Sequence, residues 1–99
     1  MISLLIDLQD GFSDDIVVIK VDNQEIFHKK GVNTDYTLGR ADSVETKVCK
    51  GSVDVAVTVP SKSLSDTVVL EVAAKVYLGV SIIDDRIVFK ISDEIFTYF

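Results

Sequence analysis

The sequence has very little of the residues from which cross-links and transition-metal sites are built. Its 99 residues include one cysteine, Cys49, and one histidine, His28. A single cysteine excludes an internal disulfide, and one cysteine with one histidine falls short of the four ligands that structural zinc requires. A lone cysteine is also more often a small apolar residue than a nucleophile. We therefore expect neither residue to be catalytic.

Other absences exclude further classes of protein. The five glycines are spread along the chain and form no phosphate-binding loop, and no Gly-x-Ser-x-Gly or Ser-x-x-Lys motif occurs. No apolar run is long enough to cross a membrane, and residues 2–8 lack the basic flank and cleavage site of a signal peptide. We expect a non-enzymatic domain in the reducing cytoplasm that does not associate with membranes.

The charge of the chain is acidic, and aspartate dominates it. Sixteen acids against ten bases give a net charge of -6, and twelve of those acids are aspartate. Nucleic-acid binding begins with lysine and arginine displacing counterions from phosphates, so this balance argues against it. Aspartate favours turns, whereas glutamate favours helices. The acid content therefore predicts short strands joined by tight turns.

Apolar and polar residues alternate along most of the chain, which is typical of half-buried strands. The pattern is clearest at residues 52–59, where four valines alternate with polar or small residues. Further strands are predicted at residues 2–8, 16–21, 25–29, 43–48, 67–73, 76–83 and 86–91. Spacings of three and four are not sustained, and only residues 92–94 suggest a final helical turn. The sequence predicts one all-β domain over residues 1–99. We expect a two-sheet antiparallel sandwich of about seven or eight strands with little or no helix, and a closed barrel is the alternative.

Three aspartates crowd the predicted turn after the first strand. Asp10, Asp14 and Asp15 could supply oxygen ligands to calcium, the one cofactor that the sequence suggests. Their spacing does not match an EF-hand loop, and aspartate is also simply a good turn former. A calcium site and a plain turn both stay open.

The longest irregular segment, residues 30–42, is the place where a loop could bind a ligand. Tyr36 could offer an aromatic platform and Arg40 a hydrogen-bonding fork to a sugar or a peptide. The alternative is a crossover between the sheets, pinned by Val32 and Leu38.

Some apolar residues fall on the face of their strands that should be exposed. They are Leu5, Ile16, Val18 and Val88. Such residues mark either a covered central strand or a partner surface, including that of a homodimer.

The apolar tail, residues 95–99, either folds back over the core or docks on another chain. We expect a non-catalytic binding or accessory domain that engages a protein partner; a calcium-assisted carbohydrate or small-ligand module is the alternative.

Overall fold

The alternating segments form strands in a computed structural model that describes residues 1–96. A single 3-10 turn, Pro60–Lys62, accompanies eight strands in this part of the chain. The strands are β1 Ile2–Leu8, β2 Asp15–Val21, β3 Gln24–Val32, β4 Asp42–Val48, β5 Gly51–Val59, β6 Leu64–Val72, β7 Val76–Ile83 and β8 Arg86–Ser92.

The strands lie in two four-stranded sheets whose inward rows meet in a buried core. One sheet has the order β4-β1-β7-β8, and the other has the order β3-β2-β5-β6. Residues at every second position along β1, β2 and β5 point inward, as the alternation predicts, and most of them are fully buried. The all-β, two-sheet sandwich is confirmed. The largest fully buried side chains are Phe12, Leu4, Ile6, Leu8, Ile19 and Leu78.

One strand pair departs from the antiparallel arrangement that the sequence predicts. The amino-terminal strand β1 runs parallel to β7, with Leu4 beside Val76 and Leu8 beside Val80. A parallel pair requires a long crossover connection, and the connection here passes through the whole second sheet. The other strand pairs formed by residues 1–96 are antiparallel. The parallel pairing joins two strands that are far apart along the chain, and the alternation of apolar and polar residues does not report which distant strands pair.

Aspartate-rich two-residue turns close two of the hairpins. Asp22 and Asn23 connect β2 to β3, and Asp84 and Asp85 connect β7 to β8. All four residues have positive φ, between 49° and 67°. Two consecutive positive φ values give the turn whose twist matches that of paired strands, and Asp and Asn tolerate them best after glycine.

Several element boundaries differ from the predicted ones. Strand β3 continues to Val32, and β6 begins at Leu64, three residues earlier than its pattern indicates. The helical turn that residues 92–94 were expected to begin is absent from the described residues: Ser92 ends β8, and residues 93–96 are a bend followed by irregular chain. The Ser92 hydroxyl accepts a hydrogen bond from the Glu94 N–H (3.0 Å) and donates one to the Glu94 carbonyl (2.9 Å). No helix among residues 1–96 has the length and apolar character needed to cross a membrane.

Each sheet ends in two edge strands, and the two sides of the sandwich differ. On one side β3 faces β4, and the Lys29 ammonium binds the Asp42 carboxylate at 2.7 Å, which ties the two sheets together. On the other side β6 and β8 approach each other at least as closely, but no ion pair joins these strands within the described chain. We call the β6–β8 side, which no ion pair closes, the open side.

Candidate functional site

Tyr36 and Arg40 lie in the same turn between β3 and β4. Asp35 organises this turn: its N–H donates to the Arg40 carbonyl (3.1 Å), and its own carbonyl accepts from Gly39 N–H (2.7 Å). The Tyr36 side chain is 76% exposed at the tip, whereas Arg40 is half-buried. Burial raises the pKa of Asp42, but hydrogen bonds from Lys29 and the Ser43 N–H outweigh it, and the charges of Lys29 and Arg40 lower the pKa further. The structure places the two residues together, and their role in ligand binding stays a prediction.

The three aspartates of the predicted calcium site are not gathered around a common point. Asp10 is exposed; its N–H donates to the Ser81 hydroxyl (3.2 Å) and its carbonyl accepts from the Ile82 N–H (2.8 Å). Asp14 is exposed at a positive φ of 49°. Asp15 is 1% exposed. No group of three or more acids, histidines or cysteines that could hold a metal occurs in residues 1–96.

The Asp15 carboxylate is instead the centre of a buried polar cluster. It accepts hydrogen bonds from the Ser13 N–H (2.8 Å) and the Ser61 hydroxyl (2.7 Å), and it forms an ion pair with Lys62. Burial raises the pKa of Asp15, but the bonds from Lys62, Ser13 and Ser61 together hold that pKa below its ordinary value of 3.8. The Asp15 carboxylate therefore has a structural role, because it joins β2 to the 3-10 turn.

Cys49 and His28 each have their own neighbour. The Cys49 thiol is exposed after β4 and lies 3.8 Å from the Met1 sulfur. The His28 imidazole lies on β3 with its Nδ1 3.8 Å from a Glu25 carboxylate oxygen. Neither contact gives the thiol a base that would remove its proton.

The four apolar residues expected on outward faces do not form one surface. Ile16 and Val18 lie on the outer face of the second sheet, on β2, where they are half-buried. Leu5 and Val88 lie on the outer face of the first sheet, where β7 separates their strands. The predicted patch is therefore divided between the two faces of the molecule.

The open side presents two large apolar side chains to solvent. Ile91 on β8 lies on the inward row, opposite Leu78, and yet it is 56% exposed. Val69, near the middle of β6, is 58% exposed on the outward row. Alternation places Ile91 on the inward row, but it reports the face of a sheet and not whether another strand covers that face.

Two cavities lie at the ends of the open side. The larger has a volume of about 550 Å³ and is lined by Glu71 at the end of β6 and by Ile91 and Asp93 at the end of β8. The smaller, about 240 Å³, is lined by Leu64 and Asp66 at the start of β6 and by Asp85, Arg86 and Ile87. The two cavities therefore lie beside the same two edge strands, one at each end.

The tail begins to fold over the outer face of the first sheet. The Phe96 ring is half-buried and lies 5.7 Å from the Lys90 ammonium, and Ile95 is exposed. Residues 97–99 of the predicted docking tail lie outside the described residues. The described part of the tail thus covers a neighbouring face, and both hypotheses about the whole tail stay open.

Comparison with known proteins gives no match that would assign this arrangement to a family. No family model matches the chain, and no curated protein or solved structure matches it significantly. Function is therefore inferred from the side chains and backbone of the chain itself.

Proposed function

We propose that this protein is a non-catalytic binding domain that engages a protein partner through the open side of its sandwich. The observation that carries the proposal is the exposure of Ile91, an inward-row residue of an edge strand. A sandwich normally covers its inward rows with the opposite sheet. An uncovered inward row beside an edge strand is a surface that a partner can complete.

The distribution of exposed apolar side chains supports the same surface. Five of the eight large apolar residues with substantial exposure in the described chain lie on or beside β6 and β8, although not on one face. Val69 is on the outward row of the second sheet, Ile83 and Val88 are on outward rows of the first sheet, and Ile91 is on an inward row. Exposed apolar residues near two edge strands are available to a partner that approaches along these edges. The five residues are Val69, Ile83, Val88, Ile91 and Ile95.

The environments of the reactive groups favour binding over catalysis. A nucleophile needs a base within hydrogen-bond reach, and the neighbour of the Cys49 thiol is a thioether. The buried acid, Asp15, has a lowered pKa, whereas a general acid needs a raised one. Its oxygens are also occupied by structural donors.

Site-specific photo-crosslinking tests the proposal. The protein is produced with a photoreactive amino acid at Val69 or Ile91 and is irradiated in a lysate of the source cells. Proteins that become crosslinked to it are identified and purified. An exposed position on β4, Ser43, serves as the control site. We expect one partner to be captured from Val69 and Ile91 and not from Ser43.

The affinity of the purified partner for variants of the protein then tests the proposal. We expect Val69→Lys and Ile91→Lys each to weaken binding at least about tenfold in calorimetry, as truncations of interface anchors do. Ser43→Lys adds the same charge on the far edge and should leave the affinity unchanged. A partner that binds all three variants like the wild type would contradict the proposal.

A further inference from the structure

The four edge strands of the sandwich differ in how well they are protected against pairing with another strand. Proteins blunt edges with bulges, lysines, prolines and short strands. Strand β3 has two irregularities in its register with β2 and carries Lys29 and Lys30. Strand β4 carries Lys47, paired with Glu45 (3.3 Å), and Lys29 of β3 reaches Asp42. Both strands on this side are therefore protected.

Strand β6 has no bulge, lysine or proline, and the one charge on its inward row is Asp66. It spans nine residues, and its register with β5 is unbroken from Leu64 to Val72. It contains neither lysine nor proline, and its centre is the apolar run Val68, Val69 and Leu70. Within residues 1–96 its single strand partner is β5. Strand β6 therefore presents a straight row of backbone donors and acceptors to an added strand.

The charges around β6 are mainly negative. Four carboxylates line the two cavities of the open side and have no ion-pair partner among the residues that the structure describes. They lie at both ends of β6, so an added strand would meet acids near each of its ends. The four are Asp66, Glu71, Asp85 and Asp93.

One base lies at each end of the open side. Lys75 lines the larger cavity, where its ammonium lies 5.6 Å from the ring centre of Tyr77, and Arg86, on the outward row of β8, lines the smaller cavity. Two carboxylates accompany each base, so each cavity keeps an excess of one negative charge.

The position of Asp66 further restricts which segment can pair with β6. It faces Val57 across the ladder and thus lies on the inward row of β6, although it is exposed. A charge on the inward row of an edge strand opposes any added strand that cannot neutralise it. A second copy of this chain would bring the same acids to the contact and a net charge of -6, which disfavours self-pairing.

We infer that β6 is a strand-addition site for an extended segment of a partner protein, apolar in its centre and basic at both ends. This inference rests on the proposed function and specifies its partner and its binding mode. The backbone of the segment pairs with β6, its apolar side chains cover Ile91 and Val69, and its basic ends lie beside Asp66 with Asp85 and beside Glu71 with Asp93.

Two displayed peptide libraries test the inference. Each has about seven random residues, enough for one strand, flanked by two lysines at each end in one library and by two glutamates in the other. We expect binders of the full chain to come from the lysine-flanked library and to shift the amide resonances of β6. Their affinity should fall at least about tenfold in molar salt, which screens exposed charges beyond about 3 Å.

Variants of the peptide and the protein separate the components of binding. N-methylation of peptide amides that pair with β6 should abolish binding, since it removes backbone donors and leaves the charges in place. The double variant with Asp66→Lys and Glu71→Lys should prefer glutamate-flanked binders. Glu25→Lys, on the opposite edge, should keep the wild-type preference.

Several outcomes would overturn the inference. Binders drawn equally from both libraries would remove the charge requirement, and amide shifts outside β6 would remove the site. Self-association through β6 in sedimentation would name a second copy as the occupant. A partner crosslinked at Val69 and Ile91 whose binding survives N-methylation would overturn strand addition and leave the proposed function in place.

Discussion

Leu78 and Ile91 are cross-strand neighbours on the inward row of one sheet, and yet Leu78 is completely buried while Ile91 is 56% exposed. Leu78 belongs to β7, an inner strand that the opposite sheet covers. Ile91 belongs to the edge strand β8 and lines a cavity of about 550 Å³. The core therefore ends between these two residues.

This difference in burial predicts unequal losses of stability. Leu78→Ala should lower the free energy of unfolding by about 3–4 kcal/mol, because it removes buried methyl groups and leaves a cavity. Ile91→Ala should lower it by about 1 kcal/mol or less, since most of the side chain already contacts water. Urea denaturation measures both values. Equal losses would mean that the open side is covered in solution.

The ion pair of Asp15 and Lys62 predicts a specific dependence on pH. A carboxylate whose folded pKa lies below its unfolded value stabilises the fold above the unfolded value, here 3.8, and loses that contribution as the pH falls through the folded pKa. Asp15→Asn should lower the free energy of unfolding by about 2–3 kcal/mol near neutral pH. The difference from wild type should shrink below about pH 4.

Urea denaturation across the acid range tests this, with Asp14→Asn as the control. Asp14 is the exposed neighbour, and asparagine tolerates its positive φ. The control should therefore stay close to wild type at every pH. A penalty for Asp15→Asn that is constant down to about pH 3 would show that Asp15 carries no lowered pKa.

Gly11 lies at a position where we expect that no other residue can be accommodated. Its φ is +89°, and an added Cβ would lie 2.0 Å from the Ile82 carbonyl oxygen, a backbone atom that cannot move alone. Gly11→Ala should destabilise the fold by about 3 kcal/mol or more. Gly31 has a similar φ of +66° and only an ordinary contact, so Gly31→Ala should lose about 1–2 kcal/mol. Thermal unfolding compares the two, and equal losses would contradict the close approach.

The calcium-assisted module is tested by titration. Bound calcium requires six to eight oxygen ligands, and the Asp15 oxygens already accept from Ser13, Ser61 and Lys62. Millimolar calcium should therefore leave the amide resonances of residues 10–15 unchanged. Saturable shifts there, absent with magnesium, would support Asp10, Asp14 and Asp15 as ligands.

The sequence predicts the strands well because alternation and turn chemistry are local. Val53, Val55, Val57 and Val59 lie on the inward row, and Asp84 and Asp85 form a two-residue hairpin turn, because both features depend on residues close in sequence. The parallel pairing of β1 with β7 depends on residues some seventy positions apart, and no local pattern reports it.

The candidate site could not be derived in the same way. Ile91 has the pattern of a core residue, and its exposure follows from which strands are edges. Asp15 has the pattern of a turn residue, and its burial follows from Lys62 and Ser61, which lie 47 and 46 residues away. The exposure of Ile91 and the burial of Asp15 therefore depend on strand order and long-range contacts, which only the folded chain shows.

Hydrogen exchange of the β6 backbone amides tests the account most directly. In an edge strand alternate N–H groups face away from the neighbouring strand, so about half of the β6 amides should exchange rapidly in the free protein. A lysine-flanked binder should slow those same amides at least about tenfold, because they then donate to the added strand. Amides that are already protected in the free chain, or that stay unprotected in the complex, would contradict strand addition at β6.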